Sequence, residues 1–113
     1  IPANRVAVWP RGVDTQAFTP ARRSPALRAE WRAAADRPVL LYVGRLSREK
    51  NVAALPRLQQ SLQRLGIEHR LVVVGDGPMR AEVVAACPGA ICPGTLGRDR
   101  LAEAYASADL FVF

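Results

Sequence analysis

Two short runs of aliphatic residues, Val39-Leu-Leu-Tyr-Val43 and Arg70-Leu-Val-Val-Val74, constrain this chain more than any other feature. Each is apolar at almost every position rather than every second one, the pattern of a strand buried on both faces in a parallel sheet covered by helices. The segments between them have helical period. After Val43, apolar residues fall at Val52, Leu55, Leu58, Leu62 and Leu65, and Gly66 follows as a stop. Pro56 lies inside that stretch and removes a backbone donor, which predicts a late start or a kink. Beyond Val74, Pro78 can open a helix through Glu82 and Val83 to Ala86. Ala90-Ile-Cys92 reads as a short strand broken by Pro93-Gly94, and Arg98 to Ser107 as a helix with Leu101, Ala104, Tyr105 and Ala108 on one face. Asp109 to Phe113 begins another buried strand. Ahead of these stand a short strand at Val6 to Trp9, a turn at Pro10-Arg-Gly12 and a helix from Pro25 to Ala34. The expectation is an α/β fold: a three-layer parallel sheet of about five strands, with Val39–Val43 and Leu71–Val74 as central neighbours. Residues 1–37 are a lead-in and 38–113 carry the βα units.

Composition excludes several classes. Half of the 113 residues are hydrophobic and 23% are charged, ordinary for a globular chain. No apolar run is long enough for a membrane span. The opening Ile1–Arg5 has neither an initiator Met nor a signal-peptide pattern, so the chain reads as a piece of something longer. Cys87 and Cys92 have no partners that would make a zinc site or a disulfide framework, and are expected as small buried residues in a reducing compartment. The net charge of +6 invites a polyanion, but the arginines are mostly single, dispersed along the chain and not interleaved with aromatics. A solvated basic surface is expected, and no nucleic acid partner. Of 16 basic residues only Lys50 is a lysine.

Ligands of open parallel sheets sit at the carboxyl ends of the strands, so the loops there are the candidates. In Gly44-Arg-Leu-Ser-Arg-Glu-Lys50, Gly44 allows close backbone approach, and Arg45 and Lys50 offer two positive charges just before a helix, suited to a diphosphate. A solvated charged turn, with Glu49 neutralising a neighbour, is the plain alternative. Gly75, Asp76 and Gly77 form a tight turn that admits a ligand to the backbone. Thr95, Leu96 and Arg98 belong to a third loop able to face a nucleobase, or to a simple helix entry. There is no GxGxxG and no GxxxxGK[ST], which disfavours NAD enzymes and P-loop NTPases. The single histidine, His69, reads as a surface residue, and no complete catalytic pair can be assembled.

The segments Pro10-Arg-Gly-Val-Asp14 with Phe18 and Pro20, Tyr42 to Asn51, Val74 to Pro78, Gly94-Thr-Leu96 and Ala104 to Asp109 together resemble family 4 retaining glycosyltransferases, in order and in spacing. The resemblance implies a GT-B enzyme of two Rossmann-like domains, of which this chain is the beginning of the C-terminal, donor-binding one. It implies that Arg45 and Lys50 hold the donor diphosphate and stabilise it as it leaves, without a metal or other cofactor. It places Gly44 and Gly75 to Gly77 along the cleft, and Thr95, Leu96 and Arg98 near the base. Arg11 in place of the usual Asn, together with Trp9, is similar to a subgroup of GDP-mannose-dependent mannosyltransferases and sulfoquinovosyl transferases acting on lipids. Pro56 departs from the family's regular helix. The implied donor is GDP-mannose or a UDP-sugar, and the implied acceptor a lipid or saccharide bound by a domain absent here. The family's Glu-bearing segment would follow Phe113, so the chain alone is expected to be inactive. A cytoplasmic location is implied, with attachment to the inner membrane face an option for the intact protein. The competing reading is a non-catalytic nucleotide- or anion-binding Rossmann-like module, with a basic nucleic-acid-binding domain a distant third.

Overall fold

A computed structural model of the chain describes residues 16–112. The expected strand at Val6–Trp9, the turn at Pro10–Gly12 and Phe113 lie outside the described residues. After a 3-10 turn at Pro20–Arg22 come α1 (Pro25–Glu30), β1 (Val39–Val43), a second 3-10 turn (Arg48–Lys50), α2 (Ala54–Arg64), β2 (Arg70–Val74), α3 (Arg80–Ala86), β3 (Ile91–Gly94), α4 (Arg98–Ser107) and β4 (Leu110–Phe111). The four described strands are all parallel, in the order β3-β2-β1-β4. β1 and β2 are paired neighbours along their whole length, Val39 opposite Arg70 and Val43 opposite Val74.

Alternation along these strands divides the core in two. Leu40, Tyr42, Leu71 and Val73 join Leu46, Val52, Leu55, Val83 and Cys87 on one face, beneath α2 and α3. Val39, Leu41, Val72 and Val74 join Leu27, Trp31 and Ala104 on the other, beneath α1 and α4. Both faces of the central strands are therefore covered, which explains their near-continuous apolar sequence. Three layers result, and the fold is α/β and Rossmann-like. None of the described helices is long and apolar enough to cross a membrane.

Helix ends follow local chemistry. Ser24 caps α1, its Oγ accepting the Leu27 N–H at 3.1 Å, with Pro25 in the first turn. The expected extension of this helix to Ala34 does not form. Arg32 adopts a φ of 57°, and the Ala33 N–H reaches back to the Arg28 carbonyl, closing the helix in a Schellman motif. The same closure ends α2 at Gly66, where Ile67 N–H bonds Leu62 O. Pro56 falls in the first turn of α2, where its missing donor costs nothing, so the helix starts late and is not broken. α3 begins at Arg80, two residues past Pro78.

Three further expectations need correction. β3 runs through Pro93 and Gly94 rather than stopping before them, because it pairs only with β2 among the described strands and an edge strand tolerates a missing donor. The ladder is irregular between Val72 and Val74, beside that proline. Tyr105 is not on the buried face of α4; Ala102, Ala104 and Ser107 are, their small side chains letting the helix lie close to the sheet. Tyr105 turns outward between Phe18 and Phe111, at ring-centroid distances of 6.0 and 5.5 Å. Leu110 and Phe111 are 59% and 43% exposed, since β4 is marginal in the described sheet.

Candidate functional site

With every described strand parallel, the loops after β1, β2 and β3 gather along one edge of the sheet. The strand order places a switch point between β1 and β4, because the chain builds outward from β1 to β3 and then returns to the other side of β1. The helices change face at the same place, α2 and α3 lying on one side and α4 on the other. A crevice opens at the carboxyl ends of strands at such a point. The first loop, between β1 and α2, borders it.

This loop is anchored at both ends by aliphatic side chains. Leu46 and Val52 are each 1% exposed, while the intervening Arg48, Glu49, Lys50 and Asn51 are all exposed. Asn51, in the left-handed region at φ 55°, closes the 3-10 turn. The buried Tyr42 hydroxyl donates to the Arg45 carbonyl at 2.9 Å, and burial raises its pKa. Arg45 itself is exposed. Among the described residues neither Arg45 nor Lys50 makes a side-chain hydrogen bond or ion pair, and Glu49 accepts from Ser47 Oγ at 3.3 Å rather than neutralising either one.

The second loop packs against the first through backbone. Gly44 N–H donates to Val74 O at 3.0 Å, Leu46 N–H to Asp76 O at 3.0 Å, and Met79 N–H to Leu46 O at 2.9 Å. A Cβ on Gly75 would stand 1.9 Å from Gly44 O, and one on Gly77 would stand 2.4 Å from Leu46 O. Both glycines are thus required by neighbouring protein backbone, whatever else approaches them. The third loop is joined in turn, Gly75 N–H donating to Gly94 O at 2.8 Å. Gly44, Arg45, Gly75, Asp76, Gly77 and Thr95 therefore share one edge. Leu96 is partly buried against the core beneath α1 and α4. Arg98 borders a separate groove of about 930 Å³, with Phe18, Pro20, Leu101 and Tyr105 among its walls.

Two charged groups escaped sequence reading. Arg80 meets Asp76 across 3.5 Å beside this edge. Arg28, read as one more solvated arginine, is 6% exposed. Its Nη1 donates to Ser107 O (2.8 Å) and Asp109 Oδ2 (3.0 Å), and its Nη2 to Ala34 O (3.0 Å) and Arg37 O (2.9 Å). The only hint in the sequence is that Arg28 lies beside Leu27 on a short helix whose buried face it shares. Asp109 also takes the Val39 N–H at 2.8 Å and an Arg23 bond at 3.0 Å. Burial raises the Asp109 carboxyl, but the Val39 amide and the two guanidinium groups outweigh it, and its pKa lies below the ordinary carboxylate value.

The two cysteines are free thiols, Cys87 buried and Cys92 only half-buried, and desolvation pushes both upward, with Arg80 opposing at Cys92. His69 is half-buried, its Nδ1 lying 3.1 Å from Ile67 O. No group of three His, Cys, Asp or Glu capable of holding a metal occurs among the described residues.

The family model described as "Glycosyl transferases group 1" matches residues 37–113. The chain belongs to the group 1 glycosyl transferases. It is 43% identical over 109 residues to the GDP-mannose-dependent alpha-mannosyltransferase of Corynebacterium glutamicum, covering 96% of this chain and 25% of that protein. A protein of the same name from Mycobacterium tuberculosis is 45% identical over 108 residues, covering 96% of this chain and 27% of its own length. The sulfoquinovosyl transferase of Arabidopsis thaliana is 34% identical over 113 residues, covering 97% and 21%. This glycosyl transferase chain thus spans about a quarter of the length of the curated relatives it matches. Within it, the matched region runs from just before β1 and takes in all three loops of the carboxyl edge.

Proposed function

We propose that this chain is the front part of the donor-binding half of a retaining glycosyltransferase, and that Arg45 and Lys50 hold the diphosphate of a nucleotide-sugar. One observation carries this reading. Two exposed cations, unpaired among the described residues, stand on an anchored loop at the switch point of a parallel sheet, in a chain of this family. Arg45 offers a planar fork that bridges two oxygens, and Lys50 a point charge that follows the second phosphate. Their preorganised charge stabilises the diphosphate as it departs, which is electrostatic catalysis of the leaving group and asks for no resident cofactor. The base lies against the backbone of residues 95–97, with the Leu96 side chain turned partly against the core. The names of the mannosyltransferase relatives favour a GDP-sugar over a UDP-sugar as donor. A lipid or saccharide acceptor binds the other half of the enzyme, and the 113-residue chain by itself turns over no donor.

Calorimetric titration of GDP and UDP into the full-length protein tests the assignment. Arg45→Ala and Lys50→Ala should each weaken binding by about 1.5 to 3 kcal/mol, the worth of a charge-assisted hydrogen bond, or roughly ten- to a hundredfold. Arg48→Ala should change little. Equal affinities across the three variants would leave a solvated charged turn as the better account.

A further inference from the structure

Between the second and third loops, Arg80 occupies a place that the donor-site reading does not use. It opens α3, and its Nη1 stands 3.5 Å from Asp76 Oδ2. Nη1, Nη2 and Cζ lie 3.6, 3.7 and 3.8 Å from the point where a Gly94 side chain would begin. Nearly equal distances mean that the guanidinium turns its face toward the space above Gly94, at ordinary contact distance for a Cβ there, while the φ of 83° is what asks for glycine. Asp76 is itself held twice, its Oδ1 accepting the Gly77 N–H at 2.8 Å and its carbonyl the Leu46 N–H at 3.0 Å. The first loop is thus tied to the second through Asp76, the second to the third through the Gly75 N–H and Gly94 O, and Arg80 reaches from Asp76 toward Gly94 beside that bond.

Beyond the Gly94 carbonyl bond the third loop is open. Thr95 and Gly97 are exposed, and a Cβ on Gly97 would meet nothing within 4 Å. Resting on the donor-site reading, we infer that Arg80 is a positioning residue for nucleoside recognition: lying over Gly94 and paired with Asp76, it fixes the backbone on which the base is read. It is not a third phosphate ligand. Asp76 already offsets its charge, whereas Arg45 and Lys50 carry no such partner among the described residues.

The two roles separate when a nucleoside diphosphate is compared with inorganic pyrophosphate, which has no base. GDP and pyrophosphate are titrated into full-length wild-type protein and the Arg80→Ala, Asp76→Asn and Lys50→Ala variants, with thermal midpoints recorded alongside. Arg80→Ala should weaken GDP about tenfold, the cost of re-ordering roughly one loop residue on binding, and leave pyrophosphate within about twofold. Asp76→Asn should shift GDP in the same direction, and the double variant should lose less than the sum of the two. Lys50→Ala should weaken both probes. Should the alanine variant not fold, Arg80→Lys, which keeps a charge beside Asp76 but has no flat face to turn toward Gly94, is read by the same split. Equal losses for GDP and pyrophosphate in the Arg80 variant, or no loss for either, overturn the inference while leaving the Arg45 and Lys50 assignment standing. Wild-type protein that binds neither probe overturns both.

Discussion

Substituting Gly75 by alanine should destabilise the fold more than any other single methyl addition at this edge. The added Cβ would lie 1.9 Å from the Gly44 carbonyl oxygen and 3.0 Å from its carbon. Ordinary carbon–oxygen contact begins beyond about 3 Å, so the two backbones must part by roughly an ångström. Two hydrogen bonds lie directly across that separation, Gly44 N to Val74 O at 3.0 Å and Gly75 N to Gly94 O at 2.8 Å. Gly75 also holds a φ of 141°, which an L side chain rarely adopts. Strain and the weakened bonds together cost about 3 to 5 kcal/mol, which lowers the melting temperature of a domain this size by roughly 15 °C or more. Gly44→Ala is the milder comparison: its Cβ would meet the Tyr42 side chain, Oη at 3.1 Å and Cζ at 3.3 Å, rather than backbone, with its φ of 159° adding some strain of its own. Urea and thermal unfolding of the variants, followed by circular dichroism, measure the difference. A Gly75→Ala protein as stable as wild type but unable to bind a nucleoside diphosphate would refute the loop-packing explanation and leave close ligand approach as the reason for the glycine.

Other outcomes follow from the same geometry. Arg28→Ala removes a side chain that is 7% exposed and strands three carbonyls and part of Asp109, so it should cost about 3 kcal/mol in urea unfolding, well above any solvated arginine such as Arg48. Asp109, with its native pKa below the ordinary value, contributes stability that is full above about pH 4 and fades as pH falls through the lowered native value. Asp109→Asn should therefore be less stable than wild type at pH 7, with the gap narrowing in urea midpoints taken toward pH 2. Tyr42→Phe should cost about 1 kcal/mol by leaving the Arg45 carbonyl without its donor, and should weaken GDP binding measurably by loosening that residue; unchanged GDP affinity would mean that Arg45 is held by the rest of the loop.

By itself the sequence determined the elements whose signals are local. Near-continuous aliphatic runs could only be doubly covered strands, so β1 and β2 and their parallel pairing were legible. The glycine stop after Leu65 and the apolar spacing from Val52 to Leu62 were equally so, since capping and period need only neighbouring residues, whereas Leu65, placed on the same face, is 72% exposed. The loop carrying Arg45 and Lys50 was legible because it follows such a strand, and the family resemblance because its motifs keep their order and spacing. What only the tertiary structure decided depends on residues far apart in the chain. Arg28 is buried because Ser107 and Asp109, some eighty positions away, supply its acceptors. Gly75 and Gly77 are forced by carbonyls of the preceding loop as well as by their own positive φ. Pro93 remains in a strand because β3 is an edge, and Tyr105 turns outward because the alanines beside it let α4 press close to the sheet. Arg80 pairs with Asp76 at the local i,i+4 spacing, but its approach to Gly94 is set by how β2 and β3 lie side by side, which no pattern along the chain carries.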